Sequence, residues 1–201
     1  MLTLPLLRKM LNRAGTELKA NSKYLCELDS VAGDGDHGIT IGRMADVMKE
    51  KTEDTTIDTM RVLLDELGDA FMGINGGSAG PLWGTVFTGM AEGIDDQAEL
   101  TDLELRKMFT QAKEDFMDIS KAKPGDKTMV DALYPAIDAI IETQGSLKEI
   151  MTAAAAAADA GAEQTSTMVA RFGRAKNMGE RSIGTKDPGA VSIAILFNGM
   201  A

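Results

Sequence analysis

The sequence predicts an all-α domain, on three observations. Apolar residues recur at helical spacing along most of the chain, two capping boxes mark helix starts, and no set of alternating apolar segments offers a sheet. One segment could compete as a buried strand, residues 191–197 (VSIAILF). Its Asp187-Pro188 start and its lack of a partner strand favour a helix.

The elements follow in order. Leu7, Met10, Leu11, Ala14 and Leu18 lie at i, i+3, i+4, i+7 and i+11, one face of a helix. Tyr24, Leu25 and Cys26 sit in another helical stretch. Met60, Leu63, Leu64, Leu67 and Phe71 repeat the stripe. Residues 82–91 form a helical run behind a glycine-rich turn, with Pro81 where a first helical residue is expected. Leu105, Met108, Phe109, Ala112, Phe116 and Ile119 come next, opened by the capping pair Thr101 and Glu104. Val130, Leu133, Ile137, Ile140 and Ile141 continue, with Asp126 the expected N-cap. Ser146 and Glu149 open the helix that holds the alanine run 153–158. Asp187 caps the last, with Pro188 at its first position. About eight helices result, joined by loops that carry most of the glycine. No repeat and no composition break divides the chain, so 1–201 is expected to be one domain.

At 201 residues and 44% hydrophobic composition, the chain can bury a real core. Most of its 14 methionines fall on the apolar stripes and read as core filling. No apolar run reaches the ~20 residues of a membrane span, and residues 1–11 lack a signal-peptide core. A cytoplasmic protein is expected. Cys26 stands alone and can form no intramolecular disulfide. The one histidine excludes any mechanism that needs two. A net charge of -10 argues against nucleic acid and anionic membrane as partners. An acidic protein that takes an anionic ligand must supply cations or backbone donors at the site.

Residues 29–38, DSVAGDGDHG, crowd Asp29, Asp34 and Asp36 into eight positions. Two unit charges ~4 Å apart repel by roughly 4 kcal/mol at an effective dielectric of 20. An acidic surface turn would point them apart; a hard divalent cation would bind them together. The spacing is not that of an EF-hand, and no glutamate stands at its twelfth position. On the charge argument, neutralising Asp29 alone should stabilise the ligand-free chain. Residues 76–81, GGSAGP, supply a turn in which backbone can approach phosphate before a helix start. There is no Walker lysine and no Rossmann glycine pattern. The turn gains meaning beside the aspartates, because a nucleoside triphosphate near three carboxylates needs divalent cations between them. Two further islands, 123–129 and 171–189, hold Lys127, Arg174, Arg181 and Lys186. Judged alone, Lys127 and Arg174 read as surface charges, and His37 as a satisfied structural histidine.

The segments DSVAGDGDHG, GGSAGPLWGT, KAKPGDKTMVDA and GRAKNMGERSIGTKDPGA occur in an order and spacing that resemble the L subunits of dihydroxyacetone kinases. The resemblance covers roughly residues 29–190. It implies a barrel of eight up-and-down antiparallel helices with the nucleotide at one end. It implies that Asp29, Asp34 and Asp36 hold two magnesium ions bridging the phosphates of ATP or ADP. His37, Gly38, Ile39, Thr40, Ser78 and Ala79 would lie along the phosphates, with Ser120 a further nucleotide contact. Met129 would line the adenine pocket, Arg174 would sit near the nucleotide, and Asp187, Pro188 and Gly189 would close the site. Departures exist: some relatives have Asn-Met where this chain has Thr40-Ile41, and glycine where it has Ser120.

The implied reaction moves phosphate from Mg-ATP, or from a resident ADP recharged by a phosphoenolpyruvate-fed M subunit, to a short ketose held by a separate K subunit. A free-standing chain of this length suits the second route. Rival readings are a non-catalytic ADP-binding regulatory subunit, an acyl-phosphate-forming kinase, and a kinase subunit for a four-carbon ketose such as erythrulose. A homodimer is left open.

Overall fold

Every apolar stripe read from the sequence is a helix in the computed structural model, which describes the whole chain, Met1–Ala201. There are nine α-helices: α1 (Leu4–Ala20), α2 (Ser22–Asp29), α3 (His37–Glu53), α4 (Met60–Met72), α5 (Ala79–Glu92), α6 (Asp102–Ile119), α7 (Val130–Glu142), α8 (Leu147–Gln164) and α9 (Pro188–Met200). The sheet is minimal, two-residue β1 (Leu2–Thr3) antiparallel to β2 (Glu99–Leu100). Residues 191–197 lie inside α9, as their Asp-Pro start predicts.

Local chemistry sets most helix starts. Thr101 and Glu104 form the predicted capping box, the Thr101 N–H donating to Glu104 at 2.7 Å. Ser146 and Glu149 do the same at 2.8 Å. Asp187 accepts from the Ala190 N–H at 2.7 Å and caps α9. Two expectations fail. Pro81 is the third residue of α5, because the helix already begins at Ala79. Asp126 does not cap α7, whose N-cap position is Met129. Asp126 instead closes a turn, accepting from the Lys123 N–H at 2.8 Å. Asp131, inside the first turn of α7, reaches back to the N–H groups of Thr128 and Gly125 and does the capping work.

Eight helices, all but α2, close into a ring in which each packs on the next, and α9 returns to α1. Neighbours run antiparallel. Arg43 and Lys51 of α3 reach Asn75, just past α4, and Glu66 within it. Gly89 and Gly93 on the α5 side face Ala112 and Met108 of α6. Phe116 and Arg106 of α6 meet Tyr134 and Ile140 of α7. The last crossing is close: a Cβ on Gly199 would lie 2.3 Å from the Ala14 Cα, so the backbones of α9 and α1 meet where no side chain fits. A cluster of 50 buried apolar residues fills the ring. Nine of the 14 methionines are buried. The short α2 lies against α3 and α9.

This alternation has an electrostatic result. One end of the barrel gathers the N-termini of α3, α5, α7 and α9, four helix ends whose unbonded N–H groups each carry a partial positive charge. All four motif segments lie at that end.

Candidate functional site

Asp29 ends α2 and organises the loop behind it. Its Oδ2 accepts backbone N–H groups from Gly35 at 2.9 Å, Asp36 at 3.1 Å and His37 at 3.4 Å. The loop therefore wraps around one carboxylate. Gly33 is required there, since a Cβ would lie 2.2 Å from Asp29 Oδ1. The wrapping brings Asp34 and Asp36, both exposed, to Asp29, with one ligand oxygen from each within 4.8 Å of the others. Three such carboxylates suit a hard divalent ion that keeps positions open for water or phosphate oxygen. Arg174 pairs with Asp34. Desolvation raises the Asp34 carboxyl, but Arg174, its own backbone N–H and Asp36 together hold it below the usual carboxylate range.

Beside the carboxylates opens a cavity of about 500 Å³, the size of a small-molecule site. Each motif contributes a wall. Asp29 and His37 come from the first, Ser78 and Ala79 from the glycine turn, and Ser120 and Met129 from the flanks of α6 and α7. Arg174, Asp187, Pro188 and Gly189 come from the last. Lys121, Lys127 and Lys186 join Arg174 in the lining, so a chain of net charge -10 presents cations where its helix N-termini converge. No helix is long and apolar enough to cross a membrane.

Three expected residues are not in the wall: Gly38, Ile39 and Thr40. From His37 onward the chain is helical, so one face alone can look into the cavity, and His37 takes it. Gly38 packs against the Ser22 carbonyl, Ile39 points outward, and buried Thr40 sits under Gly76, where a Cβ would be 2.1 Å from its hydroxyl oxygen. Thr40 thus supports the glycine turn from beneath. His37 Nε2 lies 3.2 Å from Ser192 Oγ. Burial lowers its imidazole pKa, outweighing the pull of Asp29, so the ring is neutral at pH 7.

Other lining residues were not legible as site residues. Trp83 follows the glycine turn and stacks edge-on against Phe71. Phe116 looked like one more core position of α6, and Phe172 had no periodic context. Lys127, read as a surface charge, is 4% exposed. The reason is that its ammonium donates to carbonyls of residues far along the chain. Asp187, part-open to the cavity but walled by protein, is pushed by burial to about 7.

The DAK2 domain family matches residues 31–201. The chain is 35% identical over 194 residues to the ADP-binding subunit DhaL of the PEP-dependent dihydroxyacetone kinase of Escherichia coli strain K12, covering 95% of this chain and 92% of that protein. It is 36% identical to the L-erythrulose kinase of Pectobacterium atrosepticum, of which it spans 33%. Among solved structures it is similar to the dihydroxyacetone kinase of C. freundii in complex with AMP-PNP and Mg2+. That likeness has a TM-score of 0.73 and 27% identity, and covers 98% of this chain and 33% of that one. The chain therefore spans about a third of the longer kinases and nearly all of the subunit.

Proposed function

The chain belongs to the DAK2-domain family of dihydroxyacetone kinase L subunits, and from that premise we propose that it is the nucleotide-binding, phosphoryl-transfer subunit of a ketose kinase. One observation carries the reading: the glycine turn and four helix N-termini line one cavity, and the carboxylate triad adjoins it through Asp29. Asp29, Asp34 and Asp36 would hold magnesium, which supplies charge neutralisation at the phosphate oxygens. Ser78 and Ala79 present backbone N–H groups at the start of α5 to the phosphates. Leu82, Phe116 and Met129 offer an apolar wall to a planar base. Arg174 holds Asp34 without a ligand; with a cation on that carboxylate, the guanidinium is released toward phosphate.

The one histidine, His37, is already placed beside the carboxylate loop and against Ser192, so none is left to hold a ketose carbonyl. The sugar is therefore presented by a K-type subunit at the open nucleotide end. The PEP-dependent name of the E. coli relative supports a resident ADP recharged by a phosphotransfer protein. The erythrulose kinases among the relatives extend the substrate class to four-carbon ketoses. Calorimetry should find ADP binding that needs magnesium, and the chain alone should phosphorylate no dihydroxyacetone until a K-type subunit is added. Equal ADP affinity in EDTA, or turnover by the chain alone, would overturn the reading.

A further inference from the structure

Between α8 and α9 the chain runs through residues 165–187, and this flap gives Phe172, Arg174, Thr185 and Lys186 to the cavity wall. Its regular structure is limited to two 3-10 pieces, Thr165–Thr167 and Arg174–Ser182, the second kinked at Gly179. Gly173, Gly179 and Gly184 all have positive φ. A segment so built has few ladder bonds to hold its shape, and its placement must come from side chains.

Buried Ser182 ties the flap to itself, donating to the Gly179 carbonyl at 2.7 Å and accepting from the Ala170 N–H at 2.9 Å. The larger tie comes from outside. The Lys127 ammonium donates to the carbonyls of Met168 at 3.4 Å, of Thr185 at 2.6 Å, and of Ser182. Three donors thus meet three acceptors, all from the flap and 41 to 58 residues away in sequence. Lys127 is also the only non-glycine residue at positive φ, 60°. That left-handed backbone, rarely adopted by residues with a Cβ, accompanies a side chain directed inward under the flap. Lys127 has no carboxylate within ion-pair distance, so its bonding is directed to the flap backbone. On the opposite side, Arg174 joins the flap to Asp34 of the carboxylate loop. The flap therefore spans the cavity from Lys127 to Asp34.

Resting on the nucleotide-binding reading above, we propose that Lys127 is a positioning residue whose ammonium pins the flap over the cavity and so sets how long a nucleotide stays bound. Arg174 is the flap's contact with the site, and Lys127 acts through it. A pinned flap makes ADP a retained coenzyme; an unpinned one makes it exchange.

The test uses the full chain, the parent and Lys127→Met, which keeps an apolar stem and removes all three donors. Release of a fluorescent methylanthraniloyl-ADP from the magnesium-loaded protein is followed after a chase with unlabelled ADP. Lys127→Met should raise the release rate about tenfold or more while the association rate changes little, the scale expected for losing charge-assisted hydrogen bonds. Arg174→Met should raise release in the parent but add little to Lys127→Met, because the flap is already loose. A merely structural lysine would leave these two effects additive. Trypsin should cut after Arg171 and Arg181 faster in the variant. If Lys127→Met does not fold, Lys127→Gln, which keeps part of the donor set, should give a smaller acceleration in the same direction. A parental release rate in either folded variant, or additivity with Arg174→Met, would overturn the inference while leaving nucleotide binding intact. A parent that binds no labelled ADP with magnesium would overturn both.

Discussion

Asp29, Asp34 and Asp36 are chemically alike but placed differently. Asp29 accepts three backbone N–H groups and holds the loop; Asp36 makes no such bond. Charge alone suggests that neutralising Asp29 relieves repulsion and stabilises the ligand-free chain. The geometry reverses this, because hydrogen bonds to a charged acceptor contribute about 1.5–3 kcal/mol, more than a partly screened repulsion between exposed groups. In EDTA, Asp29→Asn should lower the melting temperature, and Asp36→Asn should leave it level or raise it. Both should lose magnesium-dependent ADP binding. Equal destabilisation by the two would show that the loop is not built on Asp29. The cluster itself was legible because it spans eight residues of sequence. Its division of labour was not, because that depends on how the loop wraps.

Among the elements, starts set by side chains three residues apart were readable, as Thr101, Ser146 and Asp187 show. The start of α7 was not, since Asp131 caps backward from inside the helix and leaves Asp126 as a decoy. Lys127 was misread because its partners lie at least 41 residues away. Thr40 lies beneath the glycine turn and outside the cavity wall, a placement its motif position does not reveal, because motif order hides which helix face a residue occupies. At the head of α9, Asp187 caps the helix while burial raises its pKa from an ordinary 3.8 to about 7. Since the folded value exceeds the unfolded one, the group's contribution to stability is full below about pH 4 and is lost as pH rises through 7. Asp187→Asn keeps an oxygen for the Ala190 N–H but cannot ionise. Its melting temperature should match the parent's below about pH 4, where the carboxyl is neutral in both the folded and the unfolded chain, and exceed it near pH 8. A variant less stable than the parent at pH 8 would mean that the ionised group is held by Lys127 and the neighbouring N–H groups.

At the scale of the whole molecule, the ring makes the nucleotide site a property of every second helix. The N-termini of α3, α5, α7 and α9 meet at one end, and each of these helices is flanked by two from the set α1, α4, α6 and α8. The all-α class was legible from periodicity, and about eight helices were expected where nine form, α3 having shown no stripe. The closure was not legible, because it rests on Gly199 meeting Ala14 at opposite ends of the sequence. One core of 50 buried apolar residues runs through all eight helices, so a ligand at one end should stabilise the far end too. Magnesium with ADP at 100 times the dissociation constant should add about 2.7 kcal/mol by mass action. For a chain of this size that is a rise of roughly 5–10 °C in melting temperature. Magnesium alone, or ADP in EDTA, should give less than half of it, since carboxylates and phosphates need the ion between them. The whole helical signal should shift as one cooperative transition in scanning calorimetry and circular dichroism. A second transition left in place by the ligand would show that the barrel divides into independently melting parts, and that residues 1–201 are not one domain.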